Sequence, residues 1–408
     1  MNNIYFTIEV NHAGFTDQLL QFSIIYTLGN SLEYKYTHTK LKAYRSNPAN
    51  NFTDNRLLRI LKNLNSSKLK NSRDIYGHLG INDHFENHYS HANDLVFDQI
   101  INIDVKAEFS LDKDFNNIGD IKKHIEKEII KNSGSGNILL KFNYLKARKE
   151  ILRLKNYIPP INNYLDFYDI YKNSANIKKR NSLFDSTKKI KLLIHIRQGD
   201  TGLIQTPWNT YIPVYKKHPG FMKEHHSIDE LNSYENFFYD SYQPIEYFKY
   251  LENFLNYFNE EMFSILIFSD GYARTHDNFL KNLDKINLNK KQKNQILAGL
   301  SEYEEKQFGI FKEINNCRCI IGESDDQLIQ LIDSVLESDI TICSNQMQFI
   351  QKLINLFNSK NNPDLIQLYR GEKLVSPAEF NEKGWLKIKD SINAPNLINL
   401  KNNISLLN

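Results

Sequence analysis

Residues 195–200 read HIRQGD and directly follow the run KLLI at 191–194, which is typical of a buried strand. An arginine that leaves the end of a strand presents a rigid fork of N–H donors suited to bidentate binding of a phosphate. The glycine two residues later lets the backbone approach a ligand. We therefore predict an anion site around Arg197. The alternative is a surface ion pair between Arg197 and Asp200, with His195 packed in the core.

The segments around this motif alternate between strand and helix patterns. Apolar runs predict four strands, and apolar residues at helical spacing predict three helices. The predicted strands cover 190–196, 263–269, 318–321 and 340–343, and the predicted helices cover 244–258, 325–336 and 345–357. This alternation implies an α/β fold with a parallel, doubly wound sheet, in which ligands bind at the carboxyl ends of the strands.

The first forty residues show the same pattern, with a strand over Ile4–Val10, a turn, a helix over Thr16–Ser31 and a second strand over Tyr34–His38. Between residues 40 and 185 the patterns are weaker, with helical patches at 121–131 and 144–154, and the polar segment 173–189 is typical of a linker. We therefore predict two Rossmann-like domains that face a cleft, over 1–185 and 186–375, followed by a C-terminal extension over 376–408.

Four segments resemble one enzyme superfamily, the α1,2-, α1,6- and protein O-fucosyltransferases. HIRQGD is similar to their H-[IV]-R-R-G-D motif, with Gln198 in place of the second arginine. GFTDQLLQF at 14–22 looks like the segment G-[LF]-G-N-Q-[LM]-F-Q-[YF] that opens α1,2-fucosyltransferases, with Thr16 and Asp17 in place of glycine and asparagine. FSD at 268–270 and the helix, strand and polar segment over 326–347 are similar to further family motifs. The resemblance covers most of 190–357 and the first forty residues.

The resemblance implies a GT-B fold, in which the N-terminal domain handles the acceptor and the C-terminal domain binds GDP-fucose. It implies a short polar segment at a helix N-terminus, where free N–H groups and the helix dipole favour the donor's pyrophosphate. The expected nucleotide-sugar-binding residues are Gly14, His195, Arg197, Gly199, Asp200, Asp270, Ser344, Asn345 and Gln346.

The implied reaction is an inverting transfer of fucose to a glycan hydroxyl. Charge builds on the departing diphosphate, and Arg197 with the helix N-terminus stabilises it, so no metal or other cofactor is required. His195 orients the donor or packs beneath it, and Asp270 accepts hydrogen bonds from the base or ribose, and for each residue a purely structural role is the alternative. Asp17 is the first candidate for a catalytic base, although it also suits a helix cap. Other candidates for the base are Glu9, His12 and Asp200.

The composition sets limits on location and partners. A formal net charge of +3 over 408 residues gives no general attraction to nucleic acid. We find no apolar stretch long enough to span a membrane and no signal peptide, and three cysteines cannot build a disulfide framework. We therefore expect a cytoplasmic enzyme that acts in polysaccharide biosynthesis, on a surface polysaccharide or a lipid-linked precursor.

Two further segments suggest other sites. His84, His88 and His91 would lie on one face of a helix and suit zinc, but the pattern departs from that of zinc proteases, and a solvated polar helix is the alternative. The long segment 201–242 suggests a lid over the donor or a surface for the acceptor. Its aromatic residues, among them Trp208 and Tyr211, would stack on sugars or fill a small core.

Three other functions stay open on the sequence. A noncatalytic homologue would bind glycan or nucleotide without transfer. A glycosyltransferase for another nucleotide sugar would share the phosphate-binding residues, because these do not read the sugar. A metalloprotease would depend on the histidine cluster and would be inhibited by a chelator.

Overall fold

The computed structural model describes fifteen stretches of the chain. The described residues are 3–9, 15–41, 75–130, 136–143, 147–157, 165, 167–174, 181–198, 203–214, 227, 244–256, 260–322, 325–344, 348–357 and 364–368. The chain divides into two compact units, Met1–Arg180 with Asn355–Lys360, and Asn181–Ile354 with Asn361–Asn408.

The first unit has a four-stranded parallel sheet in the order β2-β1-β4-β3. Its described elements are β1 (Asn3–Glu9), α1 (Phe15–Ser31), β2 (Lys35–Tyr36), α2 (Ile75–His78), α3 (Ile81–His88), β3 (Gln99–Asp104), α4 (Val105–Glu108), α5 (Ile118–His124), β4 (Asn137–Asn143), α6 (Arg148–Leu154) and α7 (Phe167–Asn173).

Aromatic side chains fill the core of this unit. Phe6 of β1 meets Tyr36 of β2 and Phe142 of β4, with ring centroids 5.2 and 6.3 Å apart. The helix α1 crosses close above Phe6, since a Cβ added to Gly29 would lie 2.3 Å from the Phe6 ring. Glycine at this helical position therefore permits the close approach of α1 to the sheet.

The second unit has a five-stranded parallel sheet and a separate two-stranded hairpin. Its described elements are β5 (Ile190–Ile196), β6 (Leu203–Gln205), β7 (Tyr211–Pro213), α8 (Pro244–Leu255), β8 (Phe263–Ser269), α9 (Ala273–Lys281), α10 (Lys290–Gly309), β9 (Cys317–Ile321), α11 (Asp325–Glu337), β10 (Ile340–Ser344), α12 (Gln348–Leu356), whose last residues belong to the first unit, and β11 (Asp364–Leu368).

The strand order of the larger sheet, β11-β10-β5-β8-β9, places the first strand in its centre. The chain proceeds from β5 outward to β8 and β9, then returns to the other side of β5 to form β10 and β11. The direction of strand addition thus reverses between β5 and β10. In open parallel sheets ligands bind outside the carboxyl ends of the strands at such a switch point.

One face of this sheet packs against α8 and the end of α10. Apolar residues alternate along each strand, so that Ile194 and Ile196 of β5 share a buried core with Leu251 of α8 and Phe308 of α10. A smaller core joins the hairpin to α9 and α10 through Ile204, Ile212, Phe279, Ile296 and Leu300.

The predicted mixed α/β fold with parallel sheets is confirmed, and each strand predicted in the second half exists. The helix predicted over 121–131 begins at Ile118, and from Ile125 to Ile129 it widens into a π turn. The helix predicted from residue 144 begins at Arg148. The helices α9 and α10 were not predicted. No helix among the described residues is both long enough and apolar enough to cross a membrane.

Candidate functional site

His195 lies one residue before the end of β5, at the switch point of the larger sheet. It is in register with Cys343 of β10 on one side and Phe268 of β8 on the other. The side chain is 6% exposed, and its Nδ1 is buried without a hydrogen-bond partner among the described residues. Burial, with the charge of Arg197, lowers the pKa of His195 to about 3. The imidazole is therefore neutral at physiological pH and supplies hydrogen bonds rather than charge.

Arg197 is the first residue after β5 and is partly exposed. Its positive charge is close enough to His195 to contribute to the lowered pKa of that histidine. The strand end therefore presents a cation above a neutral, buried imidazole, which is an arrangement that suits an anionic ligand.

The backbone after Arg197 is tied to the neighbouring strand. The N–H of Gln198 donates a hydrogen bond of 2.7 Å to Oδ1 of Asp270, the residue that follows β8. Gln198, which occupies the position of the second arginine of the motif, is fully buried. Asp270 was predicted to accept hydrogen bonds from a base or ribose. In the structure one of its oxygens fixes the loop that carries Arg197, and its contact with a base or ribose stays a prediction.

The loop after β8 is held by a glutamate from α10. Oε2 of Glu304 accepts a 2.7 Å hydrogen bond from the N–H of Tyr272, and Oγ of Ser269 accepts one of 3.0 Å from Gly271. Gly271 has a φ of 65°, and an added Cβ would lie 2.4 Å from Oε2 of Glu304. The left-handed backbone and the close carboxylate both require glycine here.

The hairpin of β6 and β7 is anchored by the adjacent residue of the same helix. The hydroxyl of Tyr303 donates to the carbonyl of Leu203 and accepts from the N–H of Gln205, each at 3.1 Å. Trp208, in the turn, packs against the smaller core. Trp208 therefore helps to fill a small core, which is one of the two alternatives predicted for the aromatic residues of this segment.

The carboxyl end of β10 lies beside that of β5. Ser344 is the last residue of β10, one position beyond the pair of Cys343 and His195, and α12 begins at Gln348. The structure therefore brings His195, Arg197, Asp270 and the backbone of Ser344 to one edge of one sheet. The predicted site residues Gly14, Gly199, Asp200, Asn345 and Gln346 lie outside the described residues, as does His12.

The two carboxylates proposed as bases from the first unit lie at opposite ends of one loop. Glu9 is the last residue of β1, and its Oε1 lies 3.8 Å from Nζ of Lys141. Asp17 is in the first turn of α1 and is half-buried. A carboxylate in that turn also interacts favourably with the helix dipole.

The histidine cluster does not form the predicted helical face. The helix α3 ends at His88, and Tyr89 is extended, so His91 lies beyond the helix and accepts a hydrogen bond from the N–H of Asn93. The rings of His84 and His88 stack with centroids 4.4 Å apart. Over the described part of the chain, no group of three His, Cys, Asp or Glu residues is arranged to hold a metal ion.

Three polar residues near the site were missed by the sequence interpretation. Tyr303 and Glu304 lie in a long helix rich in lysine and glutamate that carries no motif. Glu246 of α8 is buried, and its charge adds to the effect of burial in raising the pKa of Tyr211. The position of Glu246 between Ile245 and Tyr247, at the start of an amphipathic helix, was the one signal that the sequence offered for it.

Comparisons with known proteins identify no family for this chain. No protein-family model matches the chain, and a search of curated proteins found no match. Among solved structures, a mutant of Arabidopsis thaliana FUT1 in complex with GDP matches with a TM-score of 0.33 and 9% identity, over 90% of this chain and 71% of that chain. A similarity this low supports no inference from that structure to this one, so we infer function from the residues of this chain.

Proposed function

We propose that the protein is a glycosyltransferase of the fucosyltransferase type, which binds GDP-fucose at the carboxyl edge of the larger sheet. The observation that carries this proposal is Arg197 at the switch point, beside a buried neutral histidine, with the adjoining backbone tied to Asp270 by a 2.7 Å hydrogen bond. The fold alone does not distinguish enzymes from binding proteins.

The role of Arg197 in this proposal is to bind the diphosphate and stabilise the charge that forms on it as the sugar departs. The bond between Asp270 and Gln198 keeps the arginine in place before the donor arrives, so less ordering is needed on binding. The buried imidazole of His195 forms one hydrogen bond with the sugar donor. The N-terminus of α12 offers backbone N–H groups to the same anion.

In this proposal the two units form a GT-B arrangement, and the first unit supplies the acceptor side. An acceptor hydroxyl attacks the anomeric carbon of fucose from the face opposite the diphosphate, the bond to the diphosphate breaks, and a carboxylate takes the hydroxyl proton. Asp17 is the proposed base, with Glu9 as its alternative. The reaction as proposed needs no metal, because Arg197 and the helix terminus provide the positive charge.

Calorimetry of donor binding tests the proposal. GDP, GDP-fucose, GDP-mannose and UDP-sugars are titrated in EDTA into the wild type, Arg197→Ala and Arg197→Lys. We expect GDP and GDP-fucose to bind, and Arg197→Ala to weaken binding by about 3 kcal/mol, or about 100-fold. Arg197→Lys keeps the positive charge but not the bidentate geometry, so we expect its GDP affinity to lie between those of the wild type and Arg197→Ala.

Arg318→Ala is the matched control, because Arg318 is an exposed arginine on the edge strand β9 of the same sheet. We expect its GDP affinity to equal that of the wild type. If UDP-sugars bind and guanine nucleotides do not, the donor is a UDP-sugar and the fucosyltransferase assignment is wrong. Donor binding without transfer to any glycan acceptor would indicate the noncatalytic homologue.

A further inference from the structure

The three cysteines of the chain occupy two different environments. Cys343 is completely buried between strands, and burial raises the pKa of its thiol to about 12. Cys317 and Cys319 are partly exposed residues of β9, which is an edge strand of the larger sheet. A buried thiol with a raised pKa is inert, whereas partly exposed thiols near positive charge react.

The side chains of Cys317 and Cys319 lie on the same face of β9. They are two residues apart and pair with Ile265 and Ile267 of β8, and both pack at the margin of the core beneath that face. Alternate residues of a strand point to one side, with Cα atoms about 6.6 Å apart. The two thiols are close enough for each to change the pKa of the other through a side-chain hydrogen bond between them.

Each of the two thiols changes the pKa of the other. The hydrogen bond from Cys317, with the charge of Lys312, lowers the pKa of Cys319 against the effect of burial. The same hydrogen bond, with burial, raises the pKa of Cys317. Two neighbouring thiols on one face of an edge strand can bind the same ion, which then gains two sulfur ligands at once.

We propose that Cys317 and Cys319 form a two-sulfur site for a soft, thiophilic metal or metalloid ion. Soft ions take thiolate ligands in preference to oxygen or nitrogen. A bridging ion fits the spacing better than a direct bond, because disulfides need Cα atoms about 4.4–6.8 Å apart and this pair is near the upper limit. With an organic arsenic(III) oxide, two S–H groups and one As=O group give two As–S bonds and one water, without oxidation or reduction.

Phenylarsine oxide tests the site on the full-length reduced protein, with the adducts counted by intact mass spectrometry. We expect one adduct per chain in the wild type, which withstands washing with a monothiol and is removed by a dithiol. Cys317→Ser and Cys319→Ser each abolish the wash-resistant adduct. Cys343→Ser is the matched control and keeps it.

A wash-resistant adduct in either single serine variant, or none in the folded wild type, would overturn the proposal. Circular dichroism confirms that each variant is folded. A second measurement needs no variant, because cadmium titrated into the wild type should bind once per chain, produce a thiolate-to-metal absorption band and protect Cys317 and Cys319 together from alkylation. Alkylation of both residues at an unchanged rate in saturating cadmium would refute the site.

Discussion

Each of the two sheets carries a buried histidine near the carboxyl end of a strand, but the surroundings of the two residues differ. His38 follows β2 in an aromatic cluster, where its ring stacks on Phe85 and its Nδ1 meets the hydroxyl of Tyr36 at 3.2 Å. His195 lies at the end of β5, between two strands and beside Arg197. The comparison separates packing from site chemistry, because aromatic rings surround the first histidine, whereas the second lies at the switch point of its sheet, two residues before Arg197.

The largest expected effect concerns acid pH, which acts on both histidines. Burial lowers the pKa of His38 to about 4 and that of His195 to about 3, in each case with a smaller effect of neighbouring positive groups. Because these values lie below the unfolded value of about 6.5, the unfolded chain binds protons first as the pH falls. From pH 7 to pH 5 we expect the free energy of unfolding to fall by about 2 kcal/mol per histidine, or about 4 kcal/mol together.

Urea unfolding at pH 7, 6 and 5 measures this loss. His38→Gln and His195→Asn each remove one titrating group, so in each variant the loss between pH 7 and pH 5 should be smaller than in the wild type by about 2 kcal/mol. A variant with the full wild-type pH dependence would contradict the assignment for that histidine.

The second largest effect compares two crowded glycines, one in each unit. Gly271→Ala places a Cβ 2.4 Å from Oε2 of Glu304 at a φ of 65°, so we expect a loss of about 3 kcal/mol from strain and displacement of the carboxylate. Gly29→Ala meets the ring of Phe6 at 2.3 Å but lies in a helix, where alanine recovers about 1 kcal/mol of helix propensity. Its expected loss is about 1 kcal/mol, measured with Gly271→Ala by chemical denaturation. Equal losses would show that backbone strain at Gly271 is unimportant.

The smallest effect compares two tyrosine hydroxyls. Tyr303→Phe leaves the N–H of Gln205 and the carbonyl of Leu203 without their partner, so we expect a loss of about 2 kcal/mol. Tyr36→Phe removes one hydrogen bond to His38 and should cost about 1 kcal/mol. Amide hydrogen exchange at Gln205 should rise in Tyr303→Phe alone. Unchanged exchange there would mean that the hairpin does not depend on Tyr303.

Local periodicity and strand direction account for most of the features that could be predicted from the sequence. The strands β5, β8, β9 and β10 were recognisable as apolar runs, and parallel strands bring residues at their carboxyl ends together. The juxtaposition of His195, Arg197 and Asp270 results from these two facts. Their roles in binding a nucleotide sugar stay predictions.

The supporting contacts could not be predicted, because each joins residues that are distant in the chain. Asp270 and Gln198 are 72 residues apart, Glu304 and Tyr272 are 32 apart, and Tyr303 and Leu203 are 100 apart. No periodic pattern relates such pairs. A carboxylate that binds a backbone N–H and one that binds a ligand look alike in sequence, and for this reason the sequence left both a donor-binding and a structural role open for Asp270.

The bonds of Tyr303 to Leu203 and Gln205 also protect the hairpin from association with other chains. Leu203 and Gln205 lie on either side of Ile204, so their backbone groups point to the same side of β6. The phenol of Tyr303 therefore occupies the outer edge of β6, where a third strand would otherwise add. On the other strand, Pro213 has no N–H to offer to an approaching chain. Exposed strand edges are templates for intermolecular pairing and aggregation. A single tyrosine and a single proline thus limit that hazard in a sheet that has two strands among the described residues.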